Sequence, residues 1–160
     1  EIKQRVRNLL SQINNITYPL DIILVTRHLG INVFSDANLS HYNNGCIIYT
    51  QDKQYEIIVN ANHSVVRQRF TVAHEIGHFI YDRDYLHHHG SIDRDGNAKD
   101  ASYRMREIKA NKFAAHILMP EKEFIDLFIE DCNIDHIASY FLVSNDAAKF
   151  RAMNLGLISV

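Results

Sequence analysis

The segment His74-Glu75-Ile76-Gly77-His78 sets two imidazoles four residues apart, with a carboxylate directly after the first. On a helix, positions i and i+4 stand on one face, one turn apart. His74 and His78 can then direct two ring nitrogens at a single metal ion, with Glu75 beside them to take up or release a proton. The chemistry this permits is hydrolysis by water, with no nucleophilic Ser or Cys required.

The flanking residues favour that helix. Val66, Phe70, Ala73, Gly77 and Ile80 recur at three- and four-residue spacing, as on one buried helical face. Asn62 or Ser64 can cap its start. Two His leave a catalytic site incomplete, because such a metal usually has three protein ligands and one open position. Glu107 is the best candidate for the third. It lies on a second long helix predicted over 101–118 and ended by Pro120. Asn111 follows one turn later on the same face, where it can hydrogen-bond the second ring nitrogen of a ligand His and fix its orientation. The plainer alternative makes Glu107 a solvated helix charge and Asn111 a surface polar group. His87-His88-His89, in a polar loop predicted over 82–100, is another source of imidazoles, although runs of this kind are more often solvated.

Taken together, Arg69-Phe70-Thr71-Val72-Ala73-His74-Glu75-Ile76-Gly77-His78 and the block from Glu107-Ile108-Lys109-Ala110-Asn111 to Leu118-Met119-Pro120 resemble the ImmA/IrrE family of bacterial and phage metallopeptidases. Asn60, at the end of the preceding strand, fits as well, and so does the early helix-helix-strand order. The resemblance runs from the second helix to the end of the chain. It implies one zinc ion on His74, His78 and Glu107, with Glu75 as general base. It also implies a protein substrate, a helix-turn-helix repressor of a phage, mobile element or stress pathway. One residue departs from the pattern. Lys109 stands where the family commonly has a second acidic residue, which leaves Glu107 as the only carboxylate of that segment. Some members of the family act as transcriptional regulators, so a metal-binding regulator working through DNA or protein contacts without proteolysis is the competing reading. The presence of Glu75 favours the enzyme, since a purely structural zinc needs no base. An oxyanion-stabilising group would come from Tyr103, His116 or His87 to His89, and nothing in the spacing selects among them.

The elements that must position these groups can be read from periodicity. Helices are predicted over 2–14 and 20–29, strands over 31–34, 46–49 and 55–59, and three short helices over 121–130, 134–142 and 145–154. The expected fold is α+β and zincin-like, with a small, mostly antiparallel sheet packed on the His74–His78 helix and the 55–59 strand at its edge. Residues 1–120 would form the metallopeptidase core, and 121–160 a helical extension packed on it. Ala138, Val143 and Ala148 fall where a helix-turn-helix packs its two helices, and Lys149 and Arg151 stand where phosphate contacts would come from. Covering the core and docking a protein substrate are the alternative uses of this pair.

Composition bounds the rest. A chain of 160 residues that is 46% hydrophobic and 22% charged has the make-up of one globular domain. A formal charge of −2 supplies no global basic field for nucleic acid. No apolar run approaches the ~18 residues that span a bilayer. The segment Glu1 to Arg7 has no apolar signal core, and only two cysteines occur, Cys46 and Cys132. These features predict a cytoplasmic protein with buried, reduced thiols.

Overall fold

The computed structural model describes residues 1–93 and 100–159. Among these residues the chain runs through α1 (Ile2–Ser11), α2 (Ile22–Leu29), β1 (Ile31–Asp36), β2 (Gly45–Tyr49), β3 (Tyr55–Asn60), α3 (Val65–Tyr81), α4 (Arg83–His89), β4 (Ser91–Asp93), α5 (Ala101–Leu118), α6 (Glu121–Glu130), α7 (Ile134–Phe141) and α8 (Asn145–Asn154). The architecture is α+β, with one small mixed sheet and a helical C-terminal part.

The strand order is β1-β3-β2-β4. β2 and β3 form an antiparallel hairpin, and β4 pairs antiparallel with the outer side of β2. β1 runs parallel to β3, from Ile31 opposite Tyr55 to Asp36 opposite Asn60. Segment 55–59, expected at the edge, is therefore an interior strand, and β1 and β4 form the edges. Its composition gives the reason: Ile57-Ile58-Val59 is a continuous apolar run, which suits a strand enclosed by neighbours. Ile57, Ile47 and Ile92 stand in register across β3, β2 and β4, and none is more than 4% exposed. α3 packs on β2 and β3, with Ala73 and Ile76 wholly buried. Each buried isoleucine of that row contributes about 1.5–3 kcal/mol relative to an exposed one.

Several boundaries differ from the periodicity. α1 stops at Ser11. α2 begins at Ile22, because the Asp21 carboxylate accepts hydrogen bonds from the Ile23 and Leu24 amides and caps the helix. Leu20 is buried just before it. Ser64 caps α3 by accepting from the Arg67 amide, whereas the Asn62 side chain donates to the Ala37 carbonyl. The predicted polar loop contains α4 and β4, each anchored by one buried apolar residue, Leu86 and Ile92. Residues 94–99 of that loop lie outside the described residues.

The pairing of α3 with α5 depends on Gly77. A Cβ at that position would lie 3.1 Å from Ala110 Cα and 3.3 Å from both the Ala110 carbonyl oxygen and Phe113 Cβ. Glycine facing alanine therefore lets the two helices meet almost backbone to backbone, bringing residues 74 and 78 against 107 and 111.

The C-terminal helices share the same core. Phe124 and Phe141 stack with ring centres 5.8 Å apart, and Ala138, Val143 and Ala148 are buried. Arg69 on α3 ties this part down. Its guanidinium donates to the carbonyl oxygens of Leu20 at 2.7 Å, Leu142 at 3.0 Å and Phe141 at 3.3 Å. Two of those acceptors are the orphan carbonyls at the end of α7. Leu142 itself is left-handed, with φ 55°, and the Val143 amide closes the turn on the Ala138 carbonyl at 3.0 Å.

Two expectations about single residues are corrected. Arg151 is only 4% exposed and donates from Nε to the Met119 carbonyl at 2.9 Å, so it is a structural tie and not a phosphate contact. Cys132 is exposed and not buried; Cys46 is half-buried, and no disulfide joins the two.

Gly77→Ala should cost about 1–3 kcal/mol in urea unfolding, as overpacking does, and should loosen metal binding in parallel by moving α5 away. An unchanged denaturation midpoint would show that the helices can separate freely.

Candidate metal centre

α3 and α5 bring together three of the residues that spacing singled out. The potential ligand atoms of His74, His78 and Glu107 all lie within 4.8 Å of one another, the only such group among the described residues. Both imidazoles are wholly buried, whereas the Glu107 side chain keeps 17% of its surface exposed. The group is thus closed on the imidazole side and open on the carboxylate side, as a metal needing an open position requires.

Each imidazole is fixed by a bond at Nδ1. His74 Nδ1 lies 2.6 Å from Asn111 Oδ1, and His78 Nδ1 lies 2.7 Å from Asp82 Oδ2. With Nδ1–H donating in both, the Nε2 lone pairs turn inward to Glu107. His78 Nε2 lies 2.5 Å from Glu107 Oε2. His74 Nε2 lies 3.3 Å from the same oxygen. Two nitrogens and one oxygen aimed at a common point suit a divalent ion of the zinc type once the proton between them is displaced.

Glu75 is wholly buried one residue after His74, and its charge acts on His78. Burial works against a proton on His78, but hydrogen bonds to Asp82 and Glu107 and the charges of Glu75 and Glu107 prevail and raise its pKa to about 9. Burial likewise opposes ionisation of Glu107, but the two His bring its pKa down to about 2. The carboxylate is therefore charged at every working pH, and an ion entering the site has to displace the His78 proton.

The other candidates fall elsewhere. His87 bonds the Tyr55 hydroxyl at 2.6 Å and packs on Tyr49, and His89 bonds the Tyr85 carbonyl at 3.0 Å. His116 lines a cavity between α1 and α6, about 13 Å along α5 from Glu107 at 1.5 Å per residue. Burial, reinforced by Arg151, lowers its pKa to about 4. Tyr103 lies one turn before Glu107 on the same face. The Lys109 ammonium lies over the Tyr81 ring, 4.2 Å from the centroid. Asp82 is a site residue that the spacing argument misses, although it stands four residues after His78, on the same face and at the helix end.

A family model described as the IrrE N-terminal-like domain, a peptidase family, matches residues 26–153, most of the chain. The chain belongs to that family. Family membership and the His-His-Glu group together point to a metal ion and to a metallopeptidase-type fold. The fold is also similar to that of a Mycobacterium tuberculosis transcriptional regulator, with a TM-score of 0.70 and 21% identity, covering 95% of this chain and 46% of that one. The chain thus spans less than half of that protein, and at this identity the likeness is one of fold. Comparison with curated proteins finds no match. No helix among the described residues is long and apolar enough to cross a membrane.

Asp82→Ala or Asn111→Ala should weaken metal affinity by about 10–100-fold, measured by competition with a chromogenic chelator. Unchanged affinity in both variants would remove the orienting role.

In protein stripped by a chelator, the raised His78 pKa contributes stability in full below the ordinary imidazole value near 6.5, and that contribution is lost as the pH rises through about 9. Metal binding at pH 7–8 should accordingly release about one proton, falling toward none above pH 9. Calorimetry in buffers of different ionisation enthalpy checks this, and no buffer dependence at pH 7 would contradict it.

Proposed function

We propose that this chain is a zinc-dependent endopeptidase acting on a protein substrate, with His74, His78 and Glu107 as the ligands of one zinc ion. The observation that carries the reading is the convergence of the two Nε2 atoms and the Glu107 carboxylate, with buried Glu75 alongside. A bound zinc ion supplies Lewis acidity to the scissile carbonyl and to the attacking water. Glu75 takes the proton of that water on its carboxylate and passes it to the leaving nitrogen. Asn111 and Asp82 hold the imidazoles in the one tautomer that leaves Nε2 free to coordinate. The opening beside Glu107 admits the peptide.

We take the substrate to be a helix-turn-helix repressor of a phage, mobile element or stress pathway, on the strength of the family resemblance. The structural neighbour, a transcriptional regulator, fits that context without specifying a substrate. Residues 1–120 serve as the catalytic core in this reading, and 121–160 as an extension that shares its apolar interior. A regulator acting through DNA is less well supported, because burial of Arg151 leaves Lys149 as the one exposed cation on α8. A reducing cytoplasm suits a chain whose exposed Cys132 forms no disulfide.

Glu75→Gln should keep its zinc by elemental analysis and lose at least ~10²-fold in peptidase rate, read by mass spectrometry on repressor proteins and peptide mixtures. Glu107→Ala should lose the metal itself. Full turnover by Glu75→Gln would refute the assigned base.

A further inference from the structure

The end of α3, the start of α4 and the first turns of α5 enclose an open cleft of about 750 Å³, which α1 borders through Arg5. Three arginines line it, Arg5, Arg83 and Arg106. Each guanidinium lies over an aromatic ring. Arg83 stands 3.9 Å from the Phe79 centroid, Arg106 4.0 Å from that of Tyr85, and Arg5 5.5 Å from that of Tyr81. A ring face holds a guanidinium by its plane and leaves the N–H groups at its edge free to donate.

Those donors are largely unused. Among the described residues none of the three arginines is in an ion pair. Arg83 donates from Nε to the Phe79 carbonyl at 3.1 Å, but Arg106 Nε is buried without a hydrogen-bond partner. A charged donor in that state carries a desolvation cost that an incoming oxygen would offset. The acids close by do not balance the charge. Asp82 is taken by His78 at 2.7 Å, and the Glu1 carboxylate meets the Tyr81 hydroxyl at 3.5 Å. Asp84 is left as the uncommitted carboxylate among the described lining residues.

Composition narrows the partner. Arg, Tyr and Met are enriched where proteins meet proteins, and Arg and Tyr carry much of the binding energy there. Met105 belongs to the same lining and is 69% exposed, so apolar contact is on offer beside the charges. Nucleic acid fits less well. Asp82 and Asp84 stand in the lining, where they repel phosphates, and a formal charge of −2 supplies no global attracting field.

We propose that this cleft is a docking site for an acidic segment of a protein partner, with Arg83 and Arg106 gripping its carboxylates through paired N–H groups and Arg5 adding a third cation. The inference goes beyond the endopeptidase reading and stands without it, since docking needs no cleavage. Asp82 belongs to both the cleft and the metal centre, so a docked segment lies against the residue that orients His78.

The test is binding of fluorescent twelve-residue peptides to zinc-loaded Glu75→Gln protein, which keeps the peptides intact, read by anisotropy. A peptide rich in Asp and Glu should bind about tenfold tighter than its Asn and Gln counterpart, and should weaken as salt rises from about 50 to about 300 mM. Adding Arg83→Gln or Arg106→Gln should each weaken the acidic peptide about fivefold or more. Arg106→Lys, which keeps the charge and loses the planar fork, should weaken it about threefold. Lys149→Gln, at an exposed cation on α8, should change nothing. Zinc content and thermal midpoint should hold in every variant. Equal binding of the acidic and amide peptides, or arginine variants that behave like Lys149→Gln, would overturn the site. So would duplex DNA that binds more tightly than the acidic peptide and is lost in the same arginine variants. Cleavage by wild type is read separately on the same peptides, so the docking site and the peptidase reading fail independently.

Discussion

The close approach of α3 to α5 is the constraint on which the rest of the molecule depends. Two helices with ordinary side chains between them keep their axes 8–10 Å apart, and Gly77 against Ala110 removes even the Cβ at the point of contact. Everything chemical lies within a turn or so of that point: His74 and His78 on one helix, Glu107 and Asn111 on the other. The sheet serves this contact by presenting a row of isoleucines that clamps α3 from behind. The candidate ligands stand on regular helices rather than on loops, so their geometry is held by two backbones instead of by individual side-chain choices.

The C-terminal helices are joined to this arrangement by charge as much as by packing. Arg69 and Arg151 are arginines committed to backbone carbonyls, one linking α3 to the end of α7, the other linking α8 to the end of α5. Burial lowers the pKa of both guanidiniums, which remain charged because arginine ionises so far above neutral pH. Each satisfies carbonyls at a helix end that would otherwise lack a partner. The α7–α8 pair is thus fixed to α3 and α5 at defined points and does not hang as a separate module.

Much of the chemistry is legible in the residues because it is local. The His74–His78 repeat and the Glu107–Asn111 repeat each need only a helix period to be read, and their pairing follows from family resemblance. Ala138, Val143 and Ala148 are legible for the same reason. What escapes is non-local or ambiguous. The parallel pairing of β1 with β3 joins segments more than twenty residues apart, and nothing in either strand names its partner, so periodicity places β3 wrongly at the edge. Single anchors such as Leu86 and Ile92 make no period. Arg151 reads as a phosphate contact until the Met119 carbonyl is seen to take it up. Asp82 looks like any acidic residue at a helix end, although its place four residues after His78 is a usable signal.

The unequal burial of the three metal-facing residues has a kinetic consequence. The imidazoles are sealed from water and each is held at its far nitrogen, so neither can swing away without breaking a second bond. Glu107 alone touches solvent, and a carboxylate can shift between its two oxygens without leaving its rotamer. If these residues hold an ion as proposed, one arriving or departing would meet Glu107 first and lose it first, which would make the carboxylate the door of the site and the histidines its hinges. The rate at which such a centre loads and empties would then be set by one side chain, separately from the strength with which all three hold.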